Sequence, residues 1–168
     1  MIKSIKVPKA RMPIVIGKNG STKNEIEKVF GVKLECGEDV IAEGDAINVM
    51  DAENAIKAIG RGFPPEAAMK LRNEENVLFI IPLPKDKRTL HRLRSRIIGT
   101  GGKARRNMEH LTKTEICIYG KTVSIIGDYE RADMARQAVE KLISGFSHRS
   151  VYAFLEKKLK KAALNINI

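Results

Sequence analysis

The strongest constraint on this chain is that it repeats itself. Val15-Ile-Gly-Lys-Asn-Gly20 returns 82 positions later as Ile97-Ile-Gly-Thr-Gly-Gly102. Beyond this segment the offset grows to 83, pairing Gly37 with Gly120, Val40 with Val123, Gly44-Asp45 with Gly127-Asp128, Ala52 with Ala135, Ala55 with Ala138 and Gly62 with Gly145. A unit of about 70 residues is too long for a solenoid repeat, so each copy needs its own core. The 168-residue chain therefore reads as a first domain at 1–62, a packed linker at 63–76, a second domain at 77–145 and a basic helical extension at 146–168.

Each copy carries the same order of periodicities. In the second, Val77–Pro82 is a short β-rich run, and Pro82 and Pro84 end it. Leu90, Leu93 and Ile97 then recur at helical spacing, with Arg88, Arg92 and Arg96 four apart on another face. After the glycines a further helix buries Ala104, Met108 and Leu111. Two strands flank Gly120-Lys121, and a last helix starts at an Asp128 cap and ends at Gly145. The first copy predicts a strand near 3–7, helices at 9–16 and 21–30, a hairpin about Gly37-Glu38 and a helix at 45–59. Thr22 and Glu25 have capping-box spacing. The expected class is α+β, with each unit running β-α-α-β-β-α: three antiparallel strands against three helices. In the extension, Val151, Phe154, Leu155 and Leu159 form a helical stripe expected to dock on the second domain.

Lys and Arg number 31 against 20 Asp and Glu, a net charge of +11. The excess is local. Lys85, Lys87, Arg88, Arg92, Arg94, Arg96, Lys103, Arg105 and Arg106 are opposed only by Asp86. Such density speaks about partners rather than fold, and a polyanion is the natural one.

A four-residue turn between helices needs glycine where φ is positive and where another backbone must come close. The helix after the turn offers free amides and the positive end of its dipole, which suits a phosphate. Gly99, Thr100, Gly101 and Gly102 are followed at once by Lys103, Arg105 and Arg106; Gly17, Lys18, Asn19 and Gly20 have Lys18 as their cation. Apolar pairs precede both turns, Ile97-Ile98 and Val15-Ile16, as a floor for bases. A phosphate clamp beside an aliphatic floor is a groove for single-stranded nucleic acid, and it needs few aromatics, which make up 5% of this chain. The second turn, with Arg92, Arg94 and Arg96 widening its electropositive track, is the principal site expected; the first turn is the secondary one.

Both segments resemble the I-I-G-x-x-G signature of type I KH domains, whose turn clamps about four nucleotides of single-stranded RNA or DNA. Gly62-Phe-Pro-Pro-Glu-Ala-Ala68, Gly120-Lys-Thr-Val-Ser-Ile-Ile-Gly127 and His148-Arg-Ser-Val-Tyr-Ala-Phe-Leu155 extend the likeness to nearly the whole chain. They resemble tandem-KH small-subunit ribosome assembly factors, the archaeal counterparts of the eukaryotic "partner of Nob" family. That resemblance implies binding to small-subunit ribosomal RNA near its 3′ end during maturation, and partnership with a PIN-domain endonuclease. The eukaryotic members lack an intact first glycine turn, whereas this chain keeps Gly17 and Gly20.

Other chemistries find little support in the residues. Gly99-Thr-Gly-Gly-Lys-Ala104 fits a dinucleotide pattern, but a charged helical run precedes it where a strand is required. A P-loop lacks its first glycine and its Ser/Thr. His91, His110 and His148 are scattered, and Cys36 and Cys117 lack metal-ligand spacing. A non-enzymatic, cytoplasmic protein with no cofactor, no metal and no membrane contact is expected. The competing class is a protein-interaction scaffold for a maturation endonuclease or a translation factor.

Overall fold

The alternating runs become strands and the 3.6-period runs become helices in both repeats. The computed structural model describes residues 1–166, and the chain divides into two units, Met1–Leu78 and Phe79–Ile168. In the first, β1 (Ile2–Ile5), α1 (Met12–Ile16), α2 (Ser21–Phe30), β2 (Lys33–Cys36), β3 (Val40–Glu43) and α3 (Ala46–Gly60) are followed by α4 (Pro65–Ala68) and a 3-10 turn at Met69–Arg72. In the second, β4 (Asn76–Pro82), α5 (Lys87–Ile98), α6 (Lys103–Thr112), β5 (Glu115–Tyr119), β6 (Thr122–Asp128) and α7 (Tyr129–Ile143) repeat the order. α8 (His148–Ile166) follows. The sheets are antiparallel with orders β1-β3-β2 and β4-β6-β5. Both units are thus β-α-α-β-β-α folds of the α+β class.

One face of each sheet carries the core. Ile5, Leu34, Val40 and Ala42 meet Val15, Ile26, Ile56 and Ile59 in the first unit. Ile116, Val123 and Ile125 meet Leu93, Ile97, Met108 and Leu142 in the second. Full burial of each large aliphatic side chain stabilises by about 1.5–3 kcal/mol, so these faces fix which way every helix turns.

Helix ends follow local chemistry. Asp86 and Asp128 cap α5 and α7, their carboxylates accepting from the amides of Thr89 and Arg131 at 3.0 Å. Gly31 closes α2 in a left-handed conformation, its amide donating to the Glu27 carbonyl. The capping box expected at Thr22 and Glu25 is not formed: α2 is preceded by Gly20, no side chain caps it, and Thr22 lies inside the helix. α1 starts at Met12 rather than at Lys9, because residues 8–11 form a tight turn in which the Arg11 amide donates to the Pro8 carbonyl.

The two glutamates Glu27 and Glu109 brace matching strands. Glu27 Oε2 accepts from the Leu34 amide at 3.0 Å, and Glu109 Oε2 from the Ile116 amide at 2.9 Å. Each ties the second helix of its unit to the start of the middle-sequence strand.

The 63–76 segment packs on the first unit, with Phe63, Ala67, Ala68 and Leu71 buried, α4 and the 3-10 turn lying against α3. In the second unit α8 docks on α6 and α7 through Val151 and Leu155, both fully buried. The Lys141 ammonium stands over the rings of Phe146 and Phe154, 4.7 and 4.6 Å from their centroids. The last two residues of the expected extension, 167–168, lie outside the described residues. No helix among the described residues is long and apolar enough to cross a membrane.

Candidate nucleic-acid interface

The two turns have the same backbone. Gly17 and Gly99 have φ of 73° and 76° with ψ near 174°, and Gly20 and Gly102 have φ of 75° and 79°. Between them, Asn19 (φ 55°) and Gly101 (φ 59°) are left-handed. The first glycine is required by space as well as by φ. A Cβ on Gly99 would stand 2.7 Å from both the Cβ and the amide nitrogen of Ala104, and one on Gly17 would stand 2.7 Å from the Thr22 amide nitrogen. The glycine thus lets two helices meet closely, and Thr22 belongs to that contact.

Internal bonds of the turn use the amides of Gly99, Gly102 and Lys103, whose acceptors are the carbonyls of Ser95, Gly99 and Thr100. In the first turn the amides of Gly17, Gly20 and Ser21 do the same. The amides of Thr100 and Gly101, and those of Lys18 and Asn19, take no acceptor among the described residues. Thr100 and Gly101 are exposed, as are Lys18 and Asn19. Open amides, with exposed Lys103 beside them, can donate hydrogen bonds to phosphate oxygens.

The floor is not the pair of residues the sequence suggests. Ile97 and Val15 are fully buried and serve the core; Ile98 and Ile16 are half-buried and line the grooves. Neighbours on a helix lie about 100° apart, so only one of each pair can face the groove. In the second unit a cavity of about 360 Å³ is lined by Lys87, Leu90, His91, Arg94, Ser95 and Ile98. Lys87, Leu90, Arg94 and Ile98 form one helical stripe of α5, which brings Leu90, Lys87 and His91 into a site the sequence reading left them out of. The spacing of that stripe was the available signal.

The arginines divide by role. Arg94 lines the groove. Arg92 is exposed on the Arg88–Arg92–Arg96 face of α5, about 200° around the helix from Arg94, so it does not widen the groove track. Arg96 is committed to structure. Its Nε donates to the Leu142 carbonyl at 3.2 Å, and its Nη2 to the carbonyls of Gly145 (3.3 Å) and Phe146. Arg105 is paired with Glu109 at 2.7 Å, the same carboxylate that braces β5, so its charge is largely answered within the protein. Arg106 reaches back over the turn, its Nη1 donating to the Gly101 carbonyl at 2.7 Å, while remaining exposed. Lys103, Arg94 and Arg106, with Lys87 at the far end, are the cations of the second site.

The first groove is larger, about 720 Å³, and different in charge. Lys6, Val7, Lys9, Met12, Pro13 and Ile16 line it, with Gly37, Glu38 and Asp39 from the β2–β3 hairpin. The corresponding hairpin of the second unit carries Gly120-Lys121 instead. α1 holds no charged residue, whereas its counterpart α5 holds five Lys/Arg and no acid. Two acids at the lip of the first groove repel a phosphodiester, whereas the residues lining the second groove include no acid. Asp86, the acid within the basic stretch, is consumed as a cap: hydrogen bonds from the Thr89 amide and hydroxyl hold its carboxyl below the ordinary range.

A model of the eukaryotic-type KH domain (KH-domain type I), in its PNO1 second-domain form, matches residues 78–160, and a KH domain model matches residues 2–58. The chain is 41% identical to a KH domain-containing protein of Methanocaldococcus jannaschii, over 95% of its own length and 75% of the relative's. It is 31% identical to the RNA-binding protein pno1 of Drosophila melanogaster over 66% of its length, and spans 48% of that relative. Among solved structures it resembles Dim2p from Pyrococcus horikoshii (TM-score 0.88, 40% identity, 94% of this chain and 99% of that one). It also resembles a chain in the a/eIF2alpha–aDim2p–rRNA complex from the same organism (TM-score 0.89, 38% identity, 96% and 95%). A crystal structure of a protein of unknown function from Aeropyrum pernix superposes with a TM-score of 0.95 at 36% identity, covering 99% and 95% of the two chains.

Proposed function

The chain belongs to the tandem KH-domain family of the PNO1 and Dim2p proteins, and from that premise we propose that it binds ribosomal RNA in ribosome biogenesis. The strand it grips is single-stranded, from the small-subunit RNA near its 3′ end. The second glycine turn holds the phosphate: open amides of Thr100 and Gly101, exposed Lys103 and Arg106, and the Arg94–Ile98 stripe beneath the bases. The observation that carries this reading is the coincidence of unbonded turn amides with a groove that has cations and no acid on its lining. The crystallised relative bound to rRNA supports the choice of RNA. The protein acts by holding RNA, without catalysing a reaction and without a cofactor or metal, in the cytoplasm.

A second reading concerns the first unit. Glu38 and Asp39 at its groove favour a protein partner over a bare phosphodiester there. A PIN-domain endonuclease or a translation factor is the class of partner proposed. The discriminating experiment measures binding of a labelled single-stranded RNA, matching the 3′ end of small-subunit rRNA, to the whole chain and to two variants. Thr100→Asp with Gly101→Asp should remove binding, while Lys18→Asp with Asn19→Asp should weaken it far less. Equal loss from both pairs would assign RNA to both grooves, and no loss from the first pair would end the proposal.

A further inference from the structure

The second turn has a back as well as a groove. On the α6 side of Gly99 and Thr100 lies a separate cavity of about 260 Å³, lined by Gly99, Thr100, Lys103, Ala104 and Asn107 together with His148 and Tyr152 of α8. It shares Gly99, Thr100 and Lys103 with the phosphate clamp but none of the α5 groove residues. At this volume it is smaller than the roughly 300–1,000 Å³ of a small-molecule site, and suits one planar group.

Its walls are held before any ligand arrives. His148 Nε2 lies 2.7 Å from the Arg96 carbonyl, so in the neutral ring Nε2 carries the proton and Nδ1 remains an acceptor. Arg96 is itself held by three carbonyls, and α8 is anchored by fully buried Val151 and Leu155. The rings of His148 and Tyr152 lie 6.3 Å apart and tilted by 37°. Asn107 is half-buried, and its carboxamide has no hydrogen-bond partner among the described residues. An amide with a free donor and a free acceptor, next to an aromatic face and a lysine, is the equipment for reading one base edge beside a phosphate.

We propose that this cavity takes one nucleobase of the bound RNA, stacked on Tyr152 and hydrogen-bonded by Asn107, on the strand segment adjoining the phosphate held at Thr100–Gly101. The proposal rests on the reading of the second turn as the RNA clamp. It makes α8 part of the RNA surface, and supplies an aromatic platform in a chain otherwise poor in them.

The test uses the full chain and a fluorescein-labelled 12-nucleotide single-stranded RNA matching the 3′ end of small-subunit rRNA. Tyr152→Ala should weaken binding about 5- to 160-fold, the range for losing one base–aromatic stack. Tyr152→Phe should bind as the parent does, and Asn107→Ala should lose about 2- to 13-fold, as for one neutral hydrogen bond. Parent-like binding by Tyr152→Ala and Asn107→Ala, with loss in the Thr100→Asp/Gly101→Asp protein, overturns the pocket and leaves the clamp standing. Parent-like binding by that double variant overturns the clamp instead. Should Tyr152→Ala fail to fold, ultraviolet crosslinking of the parent protein to a 4-thiouridine-substituted copy of the same RNA decides. An adduct on the 148–152 peptide supports the pocket; adducts confined to α5 and the turn overturn it.

Discussion

Arg11 and Arg96 close the same joint from different places in the repeat. Arg11 donates from Nε to the Ile59 carbonyl at 2.8 Å and from Nη2 to the Phe63 carbonyl at 2.9 Å. Arg96 donates to the carbonyls of Leu142 and Phe146, which occupy the positions of Ile59 and Phe63 in the second copy. The arginines themselves do not align, since position 11 corresponds to Leu93 and position 96 to Ile14. Both add a charged donor to carbonyls at and just beyond the end of a long helix, where Ile59 and Leu142 also accept from the amides of Gly62 and Gly145, so the joint recurs while the residue that makes it has moved.

From this joint follows a stability prediction. Arg11→Ala and Arg96→Ala should each destabilise the protein by about 1–3 kcal/mol, the cost of losing the charge-assisted hydrogen bonds that each arginine donates. Lysine should rescue neither, because a point charge cannot serve two or three carbonyls in a fork. Chemical denaturation of each variant measures it; a loss confined to RNA affinity in Arg96→Ala, with unchanged stability, would return that arginine to the binding track.

Alanine at the two exposed-turn glycines should behave unequally. Gly99→Ala meets the Ala104 backbone at 2.7 Å and occupies a region of φ and ψ open essentially to glycine alone, so a loss of about 2–5 kcal/mol is expected. Gly101 points into open space with the left-handed conformation that Asn19 already adopts in the other copy, so Gly101→Ala should cost about 1 kcal/mol. Thermal melts of the two variants compare them directly. The same argument explains why aspartate at position 101 is a fair test of binding rather than of folding.

Salt should weaken RNA binding steadily. A clamp of about four nucleotides engages about three phosphates, and single strands contribute roughly −0.7 each, giving a slope near −2 in log K against log salt. Isotherms over a tenfold range of salt measure it. A slope near zero would contradict the assignment of Lys103, Arg94 and Arg106 to phosphate.

Acid should unsettle the first unit through Glu53. Burial alone pushes this carboxyl up, but hydrogen bonds and charge from Lys3 and Lys57, at 2.7 and 2.8 Å, outweigh it and hold the group below the ordinary glutamate range. A depressed carboxylate contributes stability that is fully present above its unfolded value, roughly 4.3, and is lost as pH falls through the folded one. Glu53→Gln should therefore be less stable than the parent at neutral pH, and the gap should narrow in acid. Denaturation midpoints measured from neutral pH down to about pH 3 test this; parallel curves would remove Glu53 from the account.

How much was legible beforehand differs between the backbone and the side chains. The repeat, the element order, the bounds of α2 and β5, the Asp128 cap and the two turns were readable in the chain, because glycine position and apolar period act over a few residues at a time. Which member of Ile97-Ile98 faces the groove was decided by the core, which claims Ile97 outright. Arg96 and Arg105 looked like binding residues because charge alone does not reveal a partner. Their acceptors, the carbonyls of Leu142, Gly145 and Phe146 and the Glu109 carboxylate, are brought to them by helix packing and by the β5 brace. His148 and Tyr152 reach the back of the turn about 50 positions earlier only because α8 buries Val151 and Leu155 against α6 and α7. Short-range sterics and periodicity wrote the fold into the sequence, whereas the division of the cations between structure and ligand rests on contacts across the chain that exist only once the core has closed.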